Sequence, residues 1–153
     1  MTPRVHLKPD LLALFGPRLA AYIPVLEAKH PAIWVGDVFD GLRAAVAVGN
    51  APAISLACDF IEKDIRLPFG KLIKSNLARA LRKQHGRLTE TERRQVLGVT
   101  GWLLNLPYAP RELEDYCKLV KKFPADEIAR ILQTATPQNP KSARLVAGLR
   151  EAD

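Results

Sequence analysis

Cysteine is scarce in this chain, with 2 in 153 residues, Cys58 and Cys117. Both fall on the apolar faces of predicted helices, where a thiol behaves as a small hydrophobe. So thin a supply excludes a disulfide framework and points to a reducing, cytoplasmic setting. Long hydrophobic runs are missing as well. The first apolar run stops at Gly16-Pro17 after a few residues, which leaves neither a signal h-region nor a membrane span. The 3 histidines, His6, His30 and His85, stand far apart, with no spacing that sets two on one helix face as metal ligands. Ser55 and Ser75 fall inside predicted helices, without the tight turn that a nucleophile elbow needs. Phe69-Gly70-Lys71 lacks the glycine spacing of a phosphate-cradling loop. These absences leave no catalytic residue, metal or cofactor to name.

Charge is present, and it is unevenly placed. Residues 1–62 carry 5 Lys/Arg against 6 Asp/Glu, residues 63–94 carry 10 against 3, and residues 95–153 carry 8 against 7. The formal net charge of +7 therefore resides between Lys63 and Arg94. A local cationic field recruits polyanions and steers their approach.

Prolines, glycines and caps divide the chain into helices, and almost nothing reads as a strand. Pro9-Asp10 opens a short helix through Phe15, and Pro17 starts another that runs to about Lys29 with a kink at Pro24. A third spans Trp34 to Val48, and Gly49-Asn50 then supplies a stop and an N-cap in consecutive positions. Ala51 to Asp64 aligns Ile54, Ala57, Cys58, Ile61 and Ile65 on one stripe. Phe69 to His85 follows, with Gly86 expected as a left-handed C′ residue. Thr89-Glu90-Thr91-Glu92 is a capping box that starts a helix through about Leu104. Arg111–Phe123 carries acids in its first turn and lysines in its last, and helices over 125–135 and 140–151 close the chain, the latter capped by Asn139.

The expected class is all-α, one domain over 1–153, with a helical cap at 1–33 and helical pairs over 34–151. Helix starts near 34, 69 and 110, and near 51, 89 and 125, repeat every 35 to 41 residues or so. In spacing and helix length the chain resembles a short HEAT-like or armadillo-like array. An irregular helical bundle is the alternative.

The basic window supplies the candidate contact surface. From Lys71 through Arg87 there are six cations (Lys71, Lys74, Arg79, Arg82, Lys83, Arg87) and no acid. A merely solvated helix face usually mixes signs, because Glu–Lys pairs four residues apart support the helix. Arg93 and Arg94 join this face if the next helix packs antiparallel beside it. The simpler account is a basic helix that pairs with Glu112, Glu114 and Asp115. Phe69 is the only aromatic between Lys63 and Arg94, so base stacking has no platform within the window, and phosphate contact is the reading that remains.

Trp34, Asp37 and Asp40 set an aromatic beside two carboxylates, broadly resembling HEAT-like DNA glycosylases; first-turn capping explains the aspartates more simply. Trp102 and Tyr116 read as core. The functional expectation is a binding module that contacts nucleic-acid phosphates, with an acidic protein partner as the alternative and base removal as a third reading. No membrane partner is expected, and oligomeric state stays open.

Overall fold

The computed structural model describes residues 4–5, 15, 17–22, 32–33, 35–64 and 70–151. Seven helices of more than one turn lie among them: α1 (Val35–Ala47), α2 (Ala51–Lys63), α3 (Gly70–Lys83), α4 (Glu90–Leu104), α5 (Arg111–Val120), α6 (Ala125–Gln133) and α7 (Pro140–Arg150). The class is all-α. Before α1 there is a single turn at Pro17–Ala20, and Arg4–Val5 pairs in parallel with Ala32–Ile33 over two residues each.

Local chemistry places most of these boundaries. Gly49 takes φ 80°, a left-handed conformation that glycine adopts without a Cβ penalty, and the Asn50 side chain then accepts from the Ala53 amide at 3.0 Å to start α2. The capping box forms in full: the Glu92 amide donates to Thr89 Oγ1 at 3.1 Å and the Thr89 amide to Glu92 Oε1 at 2.8 Å. Asn139 caps α7 by accepting from the Ser142 amide at 2.8 Å.

Several boundaries differ from expectation. Gly86 is not left-handed; α3 tightens into a 3₁₀ turn at His85–Arg87, which satisfies the last carbonyls without a positive φ. Besides Gly49, the left-handed residue at a helix end is Asp64, φ 47°, after α2. The helix from Pro17 stops at Ala20, where the Tyr22 amide bonds back to the Leu19 carbonyl at 3.0 Å. α5 ends at Val120, three residues early, with Lys121–Phe123 in a turn ahead of Pro124. Apart from Phe15, the expected Pro9–Phe15 helix lies outside the described residues, as do Trp34, His6 and His30. Asp37 is in α1, its side chain outside the description, and Asp40 is exposed 3.6 Å from Arg43.

The helices form two layers. α1, α3 and α5 lie side by side in one, and α2, α4 and α6 in the other, with α7 against α5 and α6. Polar contacts cross between neighbours in a layer at a near-constant offset: Gln95 to Asp59 and Arg79 to Asp115 at 36 residues, Arg93 to Glu127 at 34, Gln84 to the Ala47 carbonyl at 37. Between the layers runs one apolar cluster from Phe15 to Leu149, including Phe39, Leu42, Phe60, Leu77, Leu104, Tyr116 and Val146. Each such Leu, Ile or Phe stabilises the fold by about 1.5–3 kcal/mol relative to exposure.

Cys58 and Cys117 are buried and unpaired, as the helix stripes require. Burial pushes the Cys117 thiol up to about 12 despite the opposing influence of Lys121, and raises Cys58 further, with Glu92, Asp59 and Glu62 adding to the effect. Thiolate is the reactive form, so both residues are expected to stay unlabelled by a thiol reagent in native buffer and to react at once in denaturant. Rapid labelling of the native protein would contradict this packing. Cys58→Ser is expected to lose about 1–3 kcal/mol in urea unfolding, because a hydroxyl replaces sulfur in an apolar site.

Candidate functional site

Helices α3 and α5 run parallel, so both C-terminal ends meet at one edge of their layer. Gly70, Lys71 and Lys74 share one cavity with Pro110 and Glu112, while Arg82 and Lys83 share another with Lys118 and Lys122. The second is a trough of about 800 Å³ lined by Arg79, Arg82, Lys83, His85, Asp115, Lys118 and Lys122. Five permanent cations thus converge on a space holding one acid.

Arg82, Lys83, Lys118 and Lys122 stand at or just past the C-terminal ends of the two helices, where the helix dipole presents partial negative charge. That local benefit explains lysines in the last turn of either helix, and packing the two in parallel then concentrates them. Arg79 Nε donates to Asp115 Oδ1 at 3.2 Å, and Lys118 lies 3.5 Å from Glu114. Among the described residues, Arg82, Lys83 and Lys122 have no carboxylate within ion-pair distance, and all three are exposed. Three exposed cations around an open trough form a surface that can exchange counterions for phosphates.

The other basic-window residues are distributed elsewhere. Lys74, with a side chain 5% exposed, is held against Asp64 Oδ1 at 2.6 Å. Lys71 is exposed at the far end of α3, away from the trough. Arg87 folds over the α1–α2 turn, its Nε donating to Gln84 Oε1 at 3.0 Å; a Cβ at Gly49 would lie 2.9 Å from that nitrogen. Arg93 belongs to the other layer, where its guanidinium makes a forked contact with Glu127 of α6, at 2.9 Å from Nε to Oε2 and 3.0 Å from Nη2 to Oε1, and donates to the Leu88 carbonyl. Arg94 pairs along its own helix with Glu90 at 2.6 Å. The α4 cations therefore do not join the α3 face, because α4 packs mainly on α2, α5 and α6.

Lys118, Lys122 and His85 enter the trough without having been singled out as binding residues in the sequence. The signal for Lys118 was present in the repeat offset, since 36 residues beyond Arg79 and Arg82 stand Asp115 and Lys118. Trp102 reverses an expectation outright. It is 56% exposed, not core, and Tyr108 in the following loop is 55% exposed. Tyr116 is fully buried as expected, and burial, with Glu112 and Asp64 nearby, raises its hydroxyl above the ordinary tyrosine range.

Among the described residues, no three His, Cys, Asp or Glu side chains are grouped to hold a metal, and no helix is long and apolar enough to cross a membrane. Compared with protein-family models, curated proteins and solved structures, the chain matches none.

Proposed function

We propose that the chain is a single-domain, cytoplasmic module, a short stack of helical pairs of the HEAT-like kind, that binds nucleic acid through its phosphates at the α3–α5 trough. The observation that supports this reading is the convergence of Arg82, Lys83 and Lys122, cations without carboxylate partners among the described residues, from two helices onto one space. Electrostatic capture of phosphates supplies affinity without sequence preference.

The test is a triple replacement, Arg82→Gln with Lys83→Gln and Lys122→Gln, followed by titration of a labelled duplex across salt concentrations. Each lost phosphate contact removes about 0.9 from the log–log salt slope on duplex, so a slope shallower by up to about 2.7 is expected. Stability should move by no more than about 0.5 kcal/mol, because all three side chains are exposed. An unchanged slope, or no binding of either duplex or single strand by the wild type at about 50 mM salt, overturns the reading. Displacement of the duplex by polyglutamate at lower concentration than by unlabelled duplex would transfer the trough to an acidic protein partner.

A further inference from the structure

At the opposite, N-terminal ends of α3 and α5 lies a cavity of about 350 Å³ whose lining includes Asp64, Lys71, Lys74, Trp102, Tyr108 and Glu112. Its components conflict with a plain surface hollow. Trp102 and Tyr108 hold more than half of their surface in water on the wall of one cavity. Glu112 is only 4% exposed, yet its Oε2 has no hydrogen-bond partner among the described residues. A buried carboxylate oxygen without a donor is costly; this one is closed to solvent, so a donor entering the cavity that Glu112 lines reaches it through a turn of the side chain. Opposite in sign is Lys74, which spends one of its three N–H donors on Asp64.

The chemistry of the lining restricts the occupant. An apolar molecule leaves Glu112 unsatisfied, a simple cation meets Lys71 and Lys74, and a simple anion meets Glu112. A neutral planar ring bearing N–H donors on one edge and acceptors on another satisfies all of them, with its faces against the aromatic side chains. That is the description of a nucleobase, and only an unpaired base exposes its edges and faces together. Lys71, exposed beside the cavity on a helix whose first turn carries no acid, suits the adjoining phosphate. Lys71 and Arg82 lie on the same side of α3, about 16 Å apart along the axis at 1.5 Å per residue. The cavity and the trough thus stand at the two ends of the α3–α5 pair, with buried Ser75 and Ala78 and exposed Arg79 between them on α3.

We infer that this cavity takes an unpaired base, so that the nucleic acid bound by the chain is single-stranded, with its backbone following the α3–α5 seam toward the trough. The inference rests on the phosphate-binding reading above and adds the strand class to it.

The experiment titrates the full chain with a labelled mixed-sequence single strand and with its blunt duplex at about 50 mM salt, following anisotropy and tryptophan fluorescence. The single strand is expected to bind at least about tenfold tighter and to quench Trp102. Base–aromatic stacking is worth about 1–3 kcal/mol per base, so Trp102→Ala should weaken single-strand binding about 5- to 150-fold, abolish the quench and leave duplex binding unchanged. Trp102→Phe, which keeps a stacking face, should recover most of the loss. Thermal unfolding of both variants close to wild type excludes a folding defect. Equal affinity for strand and duplex, or an unaltered Trp102→Ala variant, overturns the inference; if the trough triple variant still loses its salt slope, phosphate binding stands without it. Absence of all binding in the wild type removes both.

Discussion

Arg93→Ala is expected to lower the unfolding free energy by about 2–4 kcal/mol while leaving the salt slope of nucleic-acid binding unchanged. Arg93 and Glu127 are largely withdrawn from water, with side chains 22% and 11% exposed, and they meet through a forked contact between α4 and α6. Removing the arginine leaves Glu127 charged, mostly buried and without its partner, and it also frees the Leu88 carbonyl that Arg93 satisfied. Placement at the start of α4 adds nothing favourable, since a cation there opposes the helix dipole; the contact with the next helical pair compensates. Urea unfolding of wild type, Arg93→Ala, Glu127→Ala and the double variant closes a cycle in which the coupling should be of order 1–3 kcal/mol. A loss below about 1 kcal/mol would show that the pair is an ordinary surface contact, and a shallower salt slope would return Arg93 to the binding surface. The trough triple variant is expected to behave inversely, losing binding and keeping stability.

Phe60→Ala carries the largest expected loss, about 3–5 kcal/mol. Phe60 is fully buried on α2, with its ring centroid 4.6 Å from that of Phe39 on α1 and 6.0 Å from that of Phe15. One ring thus joins the first helical pair to the segment preceding it. Its truncation removes apolar burial, two tilted aromatic contacts and enough volume to leave a cavity that the surrounding helices fill only in part. Phe60→Leu should lose distinctly less, because most of that volume is retained. A loss below about 1.5 kcal/mol for the alanine variant would mean that residues around Phe15 do not pack against α2 in solution.

These variants separate two uses of charge that look identical along the chain. Lys74, Arg79, Arg82 and Arg93 all belong to one basic stretch, yet Lys74 and Arg93 are drawn into ion pairs inside the helical stack, Arg79 spans to Asp115 and Arg82 stays free among the described residues. No window of sequence distinguishes them. The partner of Arg79 is 36 residues away and that of Arg93 is 34 away, so each assignment depends on how one helical pair sits on the next. Trp102 went astray for the same reason. Its place in a mostly apolar helix suggested burial, but the side of α4 that carries it is covered by neither layer, and 56% of its surface is left in water.

What the sequence determined by itself is the run of helices and the stripes that face inward. Gly49-Asn50, the Thr89–Glu92 box and Asn139-Pro140 act through contacts three or four residues long, and the Ile54–Cys58–Ile61 stripe follows from the 3.6-residue turn, so no distant partner is needed to set them. The tertiary structure alone decided where the charges and aromatics ended. Parallel packing of α3 on α5 brought Arg82 and Lys83 to Lys118 and Lys122, and α4 with the turn after it brought Trp102 and Tyr108 to Lys71 and Glu112. Such meetings depend on the rotation and offset between successive helical pairs. That geometry is set by the fit of buried side chains across the whole apolar cluster, which no local segment contains.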